Sequence, residues 1–198
     1  MMGREINLTT PISTEEVRKL KVGDEVYLSG TMFTARDIGL KKMAAFLRMK
    51  KRWPFSLKDS ALMYAGPLIV RGEGGFRLIA NSPGTSARMP SPAAIIKNSG
   101  LRLIIGKGGM AEEAIPAMKA AGCVYLSFPG GCGALTVAQT EAIEAGYWPD
   151  LGLPDRVWKM RVRRLGPLLV TIDARGNDHY ARVKRQVRRN ITALSSKK

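Results

Sequence analysis

The chain has 198 residues, 45% of them hydrophobic, with 21 glycines, 11 prolines and a formal net charge of +16. This composition is that of a globular domain, not of a disordered or fibrous chain, and no apolar run reaches the ~20 residues of a membrane helix. Two cysteines and one histidine are too few for this chain alone to hold an iron–sulfur cluster or a zinc ion. We therefore expect one domain, located in the cytoplasm, with no metal of its own.

The first quarter of the chain predicts a helix, a strand and a second helix in that order. Ser13 and Glu16 have the spacing of a capping box at the start of a short helix. Glu25–Thr34 is rich in Val, Tyr, Phe and Thr, which favour strands. Helical spacing of apolar residues follows over Ile38–Leu47. Arg36 therefore stands where a strand meets a helix.

The rest of the chain alternates apolar runs with small-residue loops. Strands are predicted at Ala61–Ala65, Phe76–Ala80, Leu101–Ile105, Cys123–Phe128, Arg156–Arg163 and Leu168–Asp173. Helices are predicted near Pro92–Asn98, Met110–Ala121 and Leu135–Ala145. Because strand, short loop and helix recur in this order, we predict a single α/β domain whose mixed, partly parallel sheet is flanked by helices.

Two of the predicted buried strands end in small-residue loops that each contain one cation. Arg88 follows Phe76–Ala80, and Lys107 follows Leu101–Ile105 within a run of glycines. Glycine lets a ligand approach the backbone closely, and the predicted helix Met110–Ala121 would direct its partly positive N-terminus toward the same loop. The pattern indicates an anion-binding site.

Three cations share this kind of position, because Arg36, Arg88 and Lys107 each follow a predicted strand. The hydroxyls of Thr85 and Ser86 lie beside them in the sequence. An arginine fork can hold one carboxylate in two parallel hydrogen bonds while a lysine offers a point charge to a second, so the set suits a small dicarboxylate. None of these side chains is a strong base, and a reaction that needs a metal would have to import it.

An RNA-binding KH module is a weaker alternative for the glycine run around Lys107, since its GxxG loop clamps a nucleic-acid backbone. The net charge favours it. Glu112, however, stands where that module needs an apolar residue, and Leu101–Ile105 reads as a strand where the module has a helix. Dinucleotide and P-loop fingerprints are absent from the sequence.

Seven short motifs follow one another between about Leu8 and Tyr180. They are Lys21–Asp24, Ser29–Thr31, Thr34–Asp37, Gly66–Pro67, Ser86–Met89, Gly106–Gly108 and Asp150–Gly152. In this order they resemble the β subunit, or C-terminal domain, of the iron–sulfur hydro-lyases that include class I fumarase and L-tartrate dehydratase.

This resemblance implies a swivelling β/β/α domain over residues 1–180, followed by a basic tail over residues 181–198. It implies a partner α subunit carrying a [4Fe-4S] cluster, whose open iron acts as a Lewis acid on a hydroxy dicarboxylate of the fumarate, malate or tartrate type. By the same resemblance, Arg36, Arg88, Lys107 and Ser86 would bind the substrate. Self-association of the chain is left open.

Two positions depart from the family pattern. The family has a histidine where this chain has Leu40, and a Thr-Thr pair where it has Gly84 and Thr85. The first threonine of that pair is the family's candidate proton acceptor, so Thr85 becomes the predicted proton-transfer group here, with Ser86 as a further stand-in.

A non-catalytic homologue that binds nucleic acid or a partner protein is the alternative function. Lys41–Lys58 and Ala181–Lys198 each carry seven Lys or Arg residues and no acid. Such runs attract phosphate groups or acidic surfaces, and the resulting affinity falls with salt.

Overall fold

The computed structural model describes residues 3–195, which form nine strands and six helices. The strands are β1 (Glu5–Thr9), β2 (Glu25–Thr34), β3 (Ala61–Met63), β4 (Leu68–Gly72), β5 (Gly75–Ala80), β6 (Leu103–Gly106), β7 (Val124–Ser127), β8 (Thr140–Tyr147) and β9 (Val157–Ile172). The helices are α1 (Thr14–Lys19), α2 (Asp37–Arg48), α3 (Ala93–Ser99), α4 (Ile115–Ala121), α5 (Leu135–Ala138) and α6 (His179–Ser195). None of the helices described is long and apolar enough to cross a membrane.

Five strands close into a barrel. Strands β2, β3, β6 and β7 lie side by side and parallel, and β9 joins β7 back to β2 in antiparallel pairing. Closure is possible because two long strands change partner along their length. The first half of β2 pairs with β1 and its end with β3, while the first half of β9 pairs with β8 and its end with β7. The predicted mixed, partly parallel sheet flanked by helices is confirmed.

Alternating strand residues divide the core into two layers. Ala61 and Met63 belong to one cluster that collects side chains from β1, β2, β6, β7 and β9, which is the barrel interior. Leu62, between them, belongs to a second cluster with residues of α2, α3 and α4. This alternation is the period of two expected when both faces of a strand are buried.

Helix α1 begins at the predicted capping box. Ser13 Oγ accepts a hydrogen bond from the Glu16 N–H at 3.2 Å, and the Ser13 N–H donates to a Glu16 carboxylate oxygen at 2.9 Å. The helix buries Val17 against the barrel interior. This prediction depended only on neighbouring residues and is confirmed.

The predicted helix over Leu135–Ala145 is wrong. Helix α5 ends at Ala138, and the following residues form β8, paired with the first half of β9. A short apolar segment with small residues fits both the 3.6-residue period of a helix and the two-residue period of a strand. Here the open edge of β9 offers hydrogen-bond partners for the backbone, which favours the strand. Glu144 adds cross-strand ion pairs with Lys159 at 2.9 Å and Arg161 at 2.6 Å.

Three further predictions are corrected. Phe76–Ala80 is not a buried strand of the main sheet, since it forms most of β5 in a separate, largely exposed hairpin with β4. The two strands predicted at Arg156–Arg163 and Leu168–Asp173 are one strand, β9, whose pairing with β2 shifts register between them. Helix α4 begins at Ile115, not at residue 110, after a 3-10 turn and with a proline in its first turn. Its N-terminus is therefore later than the sequence predicted.

Gly30 permits the change of partner within β2. Its φ is +91°, and a Cβ atom there would lie 2.4 Å from Thr10 Oγ1. The pairing of β2 with β9 shifts register just before this residue. A side chain at this point would therefore strain the strand that closes the barrel.

We expect Gly30→Ala to lower the free energy of unfolding by roughly 2–4 kcal/mol, because it combines an unfavourable φ with a steric clash. Gly72→Ala is the matched control, since a Cβ there meets no atom within 4 Å. Urea denaturation followed by circular dichroism measures both. Equal stability of the two variants would contradict the role assigned to Gly30.

Candidate functional site

The four parallel strands of the barrel end at one edge. In the register, Thr34 of β2 stands beside Met63 of β3, which stands beside Ile105 of β6. Neighbouring strands are about 4.8 Å apart, so the ends of β2 and β6 are separated by roughly 10 Å. Arg36 and Lys107 follow those two ends. Closure of the barrel thus brings two of the predicted site residues to the same edge.

The segment that carries Arg88 is fastened to the Lys107 loop. The Lys107 N–H donates to Ser86 Oγ at 3.1 Å, and the Ser86 N–H donates back to the Lys107 carbonyl at 3.0 Å. The Gly84 N–H donates to the Tyr64 carbonyl at 2.8 Å, which ties the segment to the end of β3 as well. The 3-10 turn containing Arg88 is therefore held between the ends of two parallel strands.

Tyr125 of β7 adds further hydrogen bonds between the turn that carries Arg88 and the Lys107 loop. Its hydroxyl oxygen lies 2.9 Å from Ser86 Oγ and 2.8 Å from the Gly108 carbonyl oxygen. A carbonyl can only accept, so the single phenolic hydrogen can satisfy Gly108 while the Ser86 hydroxyl supplies the other bond. Burial raises the pKa of Tyr125 above its usual value, which keeps that hydrogen in place. This role could not be predicted from the sequence, because Tyr125 lies in an apolar run that indicates only a core position.

Gly106 leaves room for this arrangement. A Cβ atom there would lie 2.0 Å from Ser86 Oγ and 2.6 Å from the Tyr125 hydroxyl. The predicted substrate-binding residue Ser86 is itself 2% exposed. Its hydroxyl is engaged within the protein, so in this structure it positions the loops.

Arg36 is the N-cap residue of helix α2, and two carboxylates orient its side chain. Its Nε lies 3.0 Å from Asp37 Oδ1 and 3.2 Å from Asp155 Oδ1. The side chain passes close to Gly66, where a Cβ would lie 2.5 Å from Arg36 Cδ. Within residues 3–195 no hydrogen bond occupies its terminal nitrogens, so they remain available to a ligand.

Arg88 and Lys107 have no ion pair within the part of the chain described. Arg88 is exposed. The Lys107 side chain lies along the loop after β7, where a Cβ on Gly130 would be 3.2 Å from Nζ. Lys107 also lines a cavity of about 410 Å³, which Arg36 and Arg88 do not line. The three cations therefore share an edge of the barrel, but not this cavity.

Leu40 and Gly84, the two positions that differ from the family pattern, have different surroundings. Leu40 is 1% exposed and packs in the second core cluster, between the barrel and the helices. Gly84 lies beside the site, and a Cβ there would be 2.7 Å from Met89 Cε. Met89 therefore occupies the space that a threonine side chain at position 84 would need. Thr85 forms a backbone bridge with Lys107 and caps the 3-10 turn without a side-chain hydrogen bond.

A second cavity lies between the start of α6 and the segment leading into α4. Its volume is about 840 Å³, and Arg175, Arg182 and Arg185 line it together with Asp173. Asp173 already accepts hydrogen bonds from the backbone of Arg175 and from Asn177. None of the predicted site residues lines this larger cavity.

The donor set of this chain does not fit an iron–sulfur cluster. Cys123 is fully buried, and burial raises its pKa to about 12. Across residues 3–195, no three His, Cys, Asp or Glu side chains are grouped as metal ligands. The cations at the barrel edge suit the anionic groups of a substrate instead.

The basic cluster in the segment Lys41–Lys58, which the alternative function assigns to nucleic-acid binding, lies away from the barrel edge that carries Arg36 and Lys107. Arg48, Lys50, Lys51 and Arg52 are exposed at the C-terminal end of α2. Arg36 marks the other end of that helix, whose 12 residues span about 18 Å. Nucleic-acid binding by this cluster stays a prediction, and it would use a different surface.

Comparison with known proteins identifies relatives over nearly the whole chain. The family model described as "Fumarase C-terminus" matches residues 2–183. The L(+)-tartrate dehydratase subunit beta of Escherichia coli K12 is 37% identical over 182 residues, which cover 90% of this chain and 88% of that protein. The "Putative fumarate hydratase class I" of Geobacillus stearothermophilus is 33% identical over 184 residues, covering 92% of this chain but 35% of that longer protein.

We expect Tyr125→Phe to lower the free energy of unfolding by about 1–3 kcal/mol, because the Gly108 carbonyl and the buried Ser86 hydroxyl each lose a partner. Tyr27→Phe is the control, since no hydrogen bond to its hydroxyl occurs among the residues described, and its ring is only partly buried. Chemical denaturation gives the stability difference. Hydrogen exchange of residues 85–88 tests whether the turn loosens, and unchanged protection would contradict the network.

Proposed function

The chain belongs to the fumarase C-terminal family, and on that premise we propose that it is the substrate-binding β subunit of a hydro-lyase that acts on a small hydroxy dicarboxylate. The main support is the position of Arg36 and Lys107 after two parallel strands of one barrel. The tartrate dehydratase β subunit, at 37% identity, supports the same class of reaction. Fumarate, malate and tartrate are the substrates that we propose to test.

Arg36, Arg88 and Lys107 would hold the two carboxylates of the substrate. Asp37 and Asp155 orient Arg36 through Nε and leave its terminal nitrogens for a bidentate pair. Arg88 is free to form a second such pair, and Lys107 contributes a point charge near the backbone amides of its loop. Charge-assisted bonds of this kind fix the orientation of a planar carboxylate.

Removal of water from a hydroxy dicarboxylate requires a proton to leave one carbon and hydroxide to leave its neighbour. A [4Fe-4S] cluster on a partner α subunit would supply the Lewis acidity that helps the hydroxide leave. The residues of this chain would bind and orient the substrate against that subunit. Thr85, paired with Lys107 through the backbone, is the side chain that we propose for proton transfer.

Thr85 needs help to accept a proton, because a hydroxyl is a weak base at neutral pH. Its hydroxyl would first have to lose its own proton to solvent, and a nearby ammonium group stabilises the alkoxide that remains. Lys107 is joined to Thr85 by a backbone bridge, so we propose that its ammonium group acts together with Thr85. Ser86 is less suited, since its hydroxyl is bonded to Tyr125 and to the Lys107 backbone.

We expect Arg88→Ala to reduce kcat/KM of the assembled complex by at least a hundredfold, because one substrate carboxylate loses its charged partner. The fold should be unaffected, since Arg88 is exposed. Arg77→Ala, on the exposed face of β5, is the matched control. Steady-state dehydration of malate and tartrate by the purified complex measures the effect, and full activity of Arg88→Ala would refute the assignment.

A further inference from the structure

Helix α6 exposes a narrow apolar stripe. None of its 17 residues is buried, although four carry large aliphatic side chains. Val183, Val187, Ile191 and Leu194 are 43%, 49%, 57% and 69% exposed. At 3.6 residues per turn, these four positions fall within about 80° of the helix circumference. A single helix face is therefore apolar, and nothing in residues 3–195 covers it.

The same face of α6 touches the domain at its first turn. Tyr180 falls within the stripe's arc, and its ring lies 3.4 Å from where a Cβ on Gly109 would be. Its hydroxyl is 3.3 Å from Ser127 Oγ, and the residue lines the cavity beside Lys107. The apolar face thus starts on the barrel edge that holds the candidate site and continues beyond it.

Most of the stripe lies outside the region shared with the family. The match to the family model ends at residue 183, which is the first stripe residue. The E. coli tartrate dehydratase β subunit aligns over 90% of this chain. The stripe residues after Val183 therefore lie outside the part of the chain that the family model matches.

Positive charge borders one side of the stripe and covers the opposite face of α6, whereas Asn190 and Gln186 border the other side. Helix α6 contains no acidic residue, and its cations are Arg182, Lys184, Arg185, Arg188 and Arg189. A second copy of α6 would bring like charges together, which disfavours pairing between copies. Nucleic acid would satisfy the charges but leave the apolar stripe in water. A membrane surface favours a wider apolar face with Trp, Phe or Leu anchors, whereas this stripe is narrow and rich in Val and Ile.

We propose that α6 docks into an apolar groove, with carboxylates along one rim, on the cluster-bearing α subunit; this rests on the proposed function, which requires that subunit. The α subunit must approach the barrel edge where Arg36 and Lys107 lie, and α6 starts at that edge. A helix that lays an apolar seam into a groove, with charged residues at the sides, is a common mode of recognition. Lys184 and Arg188, which border one side of the stripe, would orient the helix in the groove and speed association.

The test compares two single substitutions that add the same charge on different faces of α6. Val187→Glu lies at the centre of the stripe, and Thr192→Glu lies about 140° away on the helix surface. The full-length chain is titrated with the α subunit of the same organism by biolayer interferometry. We expect at least tenfold weaker binding for Val187→Glu, and for Thr192→Glu a change within about twofold. Circular dichroism checks that both variants keep the helix.

Equal affinities of Val187→Glu and the wild type for the α subunit would overturn the docking proposal. A second result would also overturn it: the wild-type chain binds vesicles of phosphatidylcholine and phosphatidylserine, or duplex DNA, and Val187→Glu abolishes that binding but leaves α-subunit binding unchanged. Dehydratase activity of the complex distinguishes the docking proposal from the proposed function. At saturating α subunit, Val187→Glu should recover full turnover, whereas a wild-type complex that assembles but dehydrates nothing would refute only the proposed function.

Discussion

The hydrogen bonds between β9 and β2 are the constraint on which the rest of the structure depends. They close five strands into a barrel and leave β2, β3, β6 and β7 parallel. Parallel strands end at one edge, and loops at such an edge are where α/β proteins bind ligands. Arg36 and Lys107 are far apart in the chain, yet this closure places both at that edge.

A buried hydroxyl network then determines the shape of the edge. Ser86 bonds to the Lys107 backbone and to Tyr125, and Tyr125 also reaches the Gly108 carbonyl. Each group is satisfied inside the protein, so the network fixes the loops at little cost in unpaired polar atoms. The exposed Arg88 and the partly exposed Lys107 are consequently carried on a hydrogen-bonded support, as a site for an oriented anion requires.

The charge of +16 is divided among surfaces with different uses. At the barrel edge, Arg88 and Lys107, which have no ion pair among the residues described, suit a dicarboxylate together with Arg36. On α6, cations border one side of an apolar stripe, which suits a protein groove. The basic end of α2 lies one helix length, about 18 Å, from Arg36, and a nucleic-acid function would depend on it together with the basic tail. Net charge alone could not separate these three surfaces.

The sequence by itself determined features whose causes are local: the capping box at Ser13, the junction at Arg36 and the glycine loop around Lys107. It also predicted an α/β domain with a mixed sheet, because strand and helix periods alternate along the chain. Only the tertiary structure decided that residues 140–147 form a strand, since the partner strand β9 comes later in the chain. The same holds for the role of Tyr125. Both features depend on which distant segments of the chain come together to form hydrogen bonds and to bury side chains. Neighbouring residues in the sequence do not contain that information.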